Sequence, residues 1–183
     1  MNFCLALSSD GKLFSWGKNE FGQLGLGNKT QELKVNIPNN IYIPNSNNFE
    51  ISDIFCGEEH CGFINNKKEA FIWGYGNDGR LGNKKNMNIN TPSKILIEDK
   101  NIGIKKIACG GHHTAILSDK GDLYMCGNGR DGELGNGNIL QSASVSRNEP
   151  IFIYHFKLSN EKVVDVSCGS SHTLALVEMS DYI

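Results

Sequence analysis

Apolar residues in this chain fall into short runs separated by polar, glycine-bearing turns. Thr114-Ala115-Ile116-Leu117 and Thr173-Leu174-Ala175-Leu176 are such runs, as are Leu13-Phe14-Ser15, Ala70-Phe71-Ile72 and Leu123-Tyr124-Met125. Ile104 to Ala108 and Val163 to Val166 lie just upstream of two of them. Each run is too short for a helix, and Gly and Asp bound it, so the pattern predicts strands. A fourth, weaker strand is expected after each of three prolines, at Ile41-Tyr42-Ile43, Ile95-Leu96-Ile97 and Ile151-Phe152-Ile153.

The runs repeat in register. Cys-Gly-x-x-His occurs at Cys56 to His60, Cys109 to His113 and Cys168 to His172, with steps of 53 and 59 residues between the cysteines. Leu-Gly recurs at Leu24-Gly25, Leu81-Gly82 and Leu134-Gly135. Pro38, Pro92 and Pro150 precede the Cys-Gly pairs, and length varies chiefly between Leu-Gly and proline, as in a surface loop. Four short strands per unit of this length predict an all-β chain, a partial β-propeller of four-stranded antiparallel blades, about three blades in all. Residues 1–183 read as one partial propeller domain. Residues 1–50 hold the later strands of a first unit, 51–103 a second unit and 104–162 a third. Residues 163–183 hold the opening strands of a fourth.

Glycines mark the turns. Asn19, Gly76 and Gly129 share one slot of the turn before Leu-Gly, and Gly22, Gly79 and Gly132 share another. Asn and Gly accept positive φ most readily, so both slots are expected to be left-handed.

Two segments carry a family resemblance. Trp16-Gly17-Lys18-Asn19-Glu20-Phe21-Gly22-Gln23-Leu24-Gly25-Leu26-Gly27 and Cys168-Gly169-Ser170-Ser171-His172-Thr173-Leu174-Ala175-Leu176 resemble the regulator of chromosome condensation repeats. The resemblance covers nearly the whole chain. It implies a seven-bladed propeller, of which this chain supplies a part. It departs from the pattern at Phe3 in a histidine slot, Lys68 in a turn-glycine slot and Cys126 in a tryptophan slot. An open arc of blades leaves two sheet faces uncovered, so self-association through the open blade faces is expected.

Composition narrows the function. Formal net charge is −2, no footprint for nucleic acid, so direct DNA binding is not expected. No apolar run spans a bilayer, and the start of the chain lacks signal-peptide features, so an intracellular place, cytoplasmic or nuclear, is expected. Cys56, Cys109 and Cys168 share one slot and are expected to be buried, reduced and unpaired. A thiol and an imidazole per unit fall short of the four ligands of structural zinc, so no metal is expected. Gly74 to Gly79 and Gly127 to Gly132 match G-x-G-x-x-G but open no helix after a parallel strand, so no cofactor is expected.

The histidines of the repeat, His60, His113 and His172, would share one ring of a propeller. A structural role in the turn is one reading. The resemblance implies the other: family members that act as exchange factors present acidic and histidine side chains from these turns to a Ran-type small GTPase. The matching partner-binding candidates are Glu58, Glu59 and His60 in one turn, His112 and His113 in the next, and His172 in the last. The sequence thus points to a non-catalytic protein–protein interaction platform, with part of a guanine nucleotide exchange factor as the alternative.

Overall fold

The computed structural model describes residues 2–29, 32–44, 48–99, 101–137, 146–153, 156, 159 and 161–179. In the Asn-rich stretch Pro44-Asn45-Ser46-Asn47-Asn48, whose composition reads as a surface loop, Asn45, Ser46 and Asn47 lie outside the described residues, as does Thr30 of the triplet Asn28-Lys29-Thr30, which matches a glycosylation sequon.

Thirteen strands among the described residues form four antiparallel sheets in chain order. The first holds β1 (Phe3–Leu7), β2 (Leu13–Lys18) and β3 (Lys34–Asn40). The second holds β4 (Ile51–Cys56), β5 (His60–Asn65), β6 (Ala70–Gly74) and β7 (Ile89–Lys94). The third holds β8 (Ile104–Cys109), β9 (His113–Ser118), β10 (Leu123–Gly127) and β11 (Arg147–Phe152). The fourth has β12 (Glu161–Cys168) and β13 (Thr173–Met179). The sheets stack side by side as blades of a partial propeller.

Stacking dictates the burial pattern. Every residue of β5 and of β9 is buried, because each lies in a sheet covered on both faces. Three cores fill the three boundaries. Leu24, Leu26 and Val35 of the first sheet meet Phe63 and Trp73 of the second. Ile64, Ile72 and Leu81 meet Ile104, Ile107 and Ile116. Ala115, Leu117 and Leu134 meet Val163 and Val166. On β13 only one face is covered, so Leu174 and Leu176 stay 66% and 63% exposed.

The outer strands lie earlier than the sequence pattern placed them. β3, β7 and β11 contain Pro38, Pro92 and Pro150 rather than following them. These are edge strands, where a missing N–H leaves no ladder partner short. Of the expected runs, Ile41-Tyr42-Ile43 and Ile95-Leu96-Ile97 follow their strands, whereas Ile151 and Phe152 belong to β11; Ile41, Ile95 and Ile153 close the strands, each buried with its N–H donating to Leu13 O, Ala70 O and Leu123 O respectively.

The turn glycines divide differently from expectation. Gly22, Gly79 and Gly132 have φ of 77°, 80° and 84°. Asn19, Gly76 and Gly129 do not have positive φ; Gly76 sits at −101°. At Gly76 the demand is steric, since a Cβ would collide with the backbone of Met87. Asn19 serves through its side chain, whose Oδ1 accepts from Leu24 N at 3.2 Å and whose Nδ2 donates to Glu32 O at 3.2 Å. Lys68 keeps the left-handed turn that Gly11 and Gly121 make, at φ 59°.

The repeat cysteines also differ in degree. All six cysteines are free, but Cys56, Cys109 and Cys168 are half-buried rather than buried. Burial still pushes the Cys168 thiol up to about 11 and that of Cys126 up to about 12.

Candidate functional site

The hairpin turns β4–β5, β8–β9 and β12–β13 lie side by side on one face, and each rests on its neighbour. Glu58 N donates to Gly110 O at 3.3 Å, and Gly111 N donates to Ser170 O at 3.0 Å. Ser170 Oγ reaches across to Glu58 Oε1 at 2.7 Å. Three sheets thus present one braced shelf.

Beneath it the repeat histidines form a ladder. The Thr114 hydroxyl donates to Arg80 O at 2.7 Å, so His60 Nε2, 2.9 Å from Thr114 Oγ1, must supply the proton of their bond. One boundary on, the Thr173 hydroxyl donates to Glu133 O at 2.9 Å, and His113 Nε2 lies 2.9 Å from Thr173 Oγ1. Each imidazole thereby ties its own sheet to the next sheet's second strand, and that strand to the preceding Leu-Gly turn. The motif's glycine makes room: a Cβ on Gly57 would lie 2.8 Å from His60 Cε1.

His60 and His113 are both fully buried, and their Nδ1 atoms have no partner. A proton there would be dry and unpaired. Desolvation therefore pulls His60 down to about 3, with Arg80 and the neighbouring histidines adding to it, and His113 down to about 4. His172 is exposed; no described residue of a further sheet covers it.

The first boundary uses different atoms. Phe3 stands where the histidine would be, and Cys61 where the threonine would be. Phe3 offers the Cys61 thiol nothing, and Cys61 Sγ donates to Gln23 O at 3.2 Å, beside Trp73 Nε1 at 3.0 Å. The two departures belong together. Phe3→His alone is expected to destabilise, since its imidazole meets no hydroxyl, while Phe3→His with Cys61→Thr regains the pair. A denaturant double-mutant cycle should give a coupling of about 1 kcal/mol or more; additive single effects would disprove it.

On the shelf the structure gathers residues that sequence reasoning missed. Arg80 is completely buried. It donates through Nε to Asn77 O at 3.0 Å, through Nη1 to Gly111 O at 2.8 Å and through Nη2 to Asp78 Oδ2 at 3.2 Å. Nη2 also lies 2.7 Å from His112 Nδ1, which therefore accepts. Its guanidinium carbon sits 4.7 Å from the Tyr75 ring centroid, and the Tyr75 ring packs tilted against Phe21, with centroids 4.1 Å apart. This column crosses three sheets. Glu59 lies 3.9 Å from Nη1. Sequence could have flagged Arg80, because the slot before each Leu-Gly holds Gln23, Arg80 and Glu133, all polar and all buried.

Of the candidate partner-binding residues, Glu58 and His112 are exposed and Glu59 half-buried, while His60 and His113 face inward. Among the described residues no His, Cys, Asp or Glu group could hold a metal ion. No helix is long and apolar enough to cross a membrane.

Comparison with known proteins gives one family. The regulator of chromosome condensation (RCC1) repeat matches residues 10–64, 69–117 and 120–176. The human probable E3 ubiquitin-protein ligase HERC3 is 34% identical over 98% of this chain and 16% of its own length. The mitochondrial RCC1 domain-containing protein RUG3 of Arabidopsis thaliana is 30% identical over 97% and 39%. The mouse RCC1-like G exchanging factor-like protein is 31% identical over 96% and 36%. The chain therefore spans well under half of these curated relatives. Human WBSCR16 superposes with a TM-score of 0.79 at 30% identity, over 97% of this chain and 42% of that one. Yeast RCC1 (Prp20), solved with Kap60, superposes at 0.85 with 22% identity, over 98% and 41%.

Proposed function

The chain belongs to the regulator of chromosome condensation repeat family, and from that premise we propose that it is a protein-interaction module working through the shelf of hairpin turns. The observation that carries this is the bracing of three turns on one another across sheets. A surface ordered before its partner arrives loses little conformational freedom on binding. It offers Glu58, Glu59, Asp78 and His112, with Tyr75 and Phe21 alongside, which suits a partner bearing basic side chains. The histidines beneath hold the shelf and do not touch the partner. No acid–base chemistry is assigned, since His60 and His113 are neutral and enclosed.

The test is quantitative affinity capture with the wild-type chain and with Glu58→Lys/Asp78→Lys. Proteins bound by the wild type should be lost from the variant while its circular dichroism is unchanged. An identical set bound to both would reject the shelf. A narrower reading, part of a guanine nucleotide exchange factor for a Ran-type small GTPase, is supported by the 31% identical G exchanging factor-like relative. On that reading this chain alone, with three such turns, should leave labelled GDP release from the GTPase at its intrinsic rate. Accelerated release would assign exchange to these turns.

A further inference from the structure

Two of the free cysteines face each other directly. Cys56 closes β4, and Cys61 stands opposite it on β5, in register across the antiparallel pair. On the turn side of them Gly57 N donates to His60 O at 2.8 Å. The next pair along therefore has no ladder bonds of its own. In such pairs the opposed side chains stand closest, with Cα atoms about 4.5 Å apart. A disulfide needs Cα atoms roughly 4.4–6.8 Å apart, so the backbone register already suits one. The equivalent pair of the last hairpin shows how near the side chains come: Cys168 Sγ lies 3.9 Å from Thr173 Oγ1.

Only this hairpin sets thiol against thiol. The position opposite the repeat cysteine holds Thr114 and Thr173 in the two later hairpins and Cys61 here. Cys56 and Cys61 also share one core, the one between the first two sheets. Cys109 packs in the second core and Cys168 in the third, and Cys4 is exposed. The fold thus gives Cys56 and Cys61 to each other.

The two differ in character. Cys61 is completely buried, and its Sγ donates to Gln23 O at 3.2 Å. Cys56 is half-buried, as is Cys109 in the same slot one sheet on. The Cys61 thiol beside it, helped by the Leu5 backbone, holds the Cys56 thiol below the ordinary thiol value against the pull of burial. Burial holds Cys61 well above that value, and it raises Cys109 and Cys168 too. The thiolate is the attacking species. Cys56 is therefore the nucleophile of the pair, and Cys61 the thiol that resolves it.

We propose that Cys56 and Cys61 form a reversible redox pair, bridged by a peroxide and released by a thiol reductant. The Cys56 thiolate attacks one peroxide oxygen, and the O–O bond breaks. Hydroxide leaves and takes up the proton the Cys56 thiol had released, while Cys56 becomes a sulfenic acid. The Cys61 sulfur then attacks the Cys56 sulfur. The S–S bond forms, the S–O bond breaks, and the hydroxyl leaves as water with the Cys61 proton. Two thiols give up two hydrogens and two electrons, and one peroxide becomes two waters. Bridging withdraws from Gln23 O the hydrogen that Cys61 donates and leaves it the Trp73 Nε1–H at 3.0 Å. It also ties off the turn that carries Glu58 and Glu59.

The test treats the full 183-residue chain with hydrogen peroxide under native conditions. Remaining thiols are alkylated, and the chain is cut beside Glu58 and Glu59 before mass spectrometry. The fragments carrying Cys56 and Cys61 should stay joined, lighter by two hydrogens, and separate when a reductant is added. Cys109 and Cys168, which face threonines, should be recovered as alkylated thiols. Cys61→Thr gives this hairpin the residue the other two carry. It should match the wild type by circular dichroism and lose the bridge altogether, its Cys56 caught as a sulfenic acid by a cyclic 1,3-diketone. Separate Cys56 and Cys61 fragments from the oxidised wild type would overturn the proposal, and so would a bridge from Cys56 to any other cysteine. The wild-type result decides by itself if the variant fails to fold.

Discussion

Acidification from pH 6.5 to about 4.5 should strip much of the stability of this chain, ahead of the titration of its lysine-paired carboxylates. The native state holds His60 down to about 3 and His113 to about 4, against an ordinary value of 6.5. Below 6.5 the unfolded chain takes up protons that the folded chain refuses. The stabilisation is therefore complete above pH 6.5 and is lost as pH falls towards the folded values. Each such histidine gives a slope of about 1.4 kcal/mol per pH unit inside its window. Two together, over two units, approach the lower end of the 5–15 kcal/mol or so that holds an ordinary domain together. Carboxylates whose values are lowered by lysine partners, such as Asp119 beside Lys68 and Asp165 beside Lys106, lose their share at lower pH. Exposed pairs of this kind are worth little. Urea midpoints at pH 7 and pH 4.5 measure the effect. His60→Asn should be less stable at pH 7 and show a shallower pH dependence. Equal midpoints for the wild type at the two pH values would mean that the imidazoles are solvated.

Trp73→Ala should cost about 3–5 kcal/mol, the range for truncating a fully buried aromatic side chain. Trp73 is completely buried, packs against Phe63 at a ring separation of 6.2 Å and donates to Gln23 O. Its indole lies over Gly25, with Nε1 2.6 Å from where a Cβ would sit. In a stack of repeats each sheet leans chiefly on its neighbours, so the damage should concentrate at the first boundary. Hydrogen exchange in β1–β3 should speed up most, with β8–β11 protected longest. Trp73→Phe retains much of the volume and should recover most of the loss, leaving about 1 kcal/mol for the missing hydrogen bond. Uniform loss of protection across all four sheets would show that the boundary is not a separable unit.

Much of the architecture was legible because it repeats. Cys-Gly-x-x-His, Leu-Gly and the spaced prolines recur at positions fixed by local geometry. Gly57 must clear an imidazole three residues on, and Pro92 can only sit on an outer strand. Strand positions erred where two local cues competed: the apolar runs at Ile41 and Ile95 look like strands, but those two isoleucines are buried closing residues of strands that end beside them, while Ile151 and Phe152 do lie in a strand. The turn slot of Asn19, Gly76 and Gly129 was misjudged for a similar reason. Glycine serves either a positive φ or a close approach, and sequence does not say which.

What the sequence determined by itself is the family, the all-β architecture of antiparallel sheets and the row of hairpin turns, since these follow from a pattern written out several times in one chain. What only the tertiary structure decided is the role of each polar side chain. His60 and His113 became neutral, enclosed struts because Thr114 and Thr173 arrive from the next sheet with hydroxyls already committed to Arg80 O and Glu133 O. Arg80 became the centre of the shelf because Gly111, Asp78 and His112 converge on it from two sheets. Those partners lie more than thirty residues away or in an adjacent turn. Periodicity along one chain records which positions are buried. It carries no record of which buried polar atoms meet across a boundary, and that meeting sets their charge, their proton and what remains for a partner to touch.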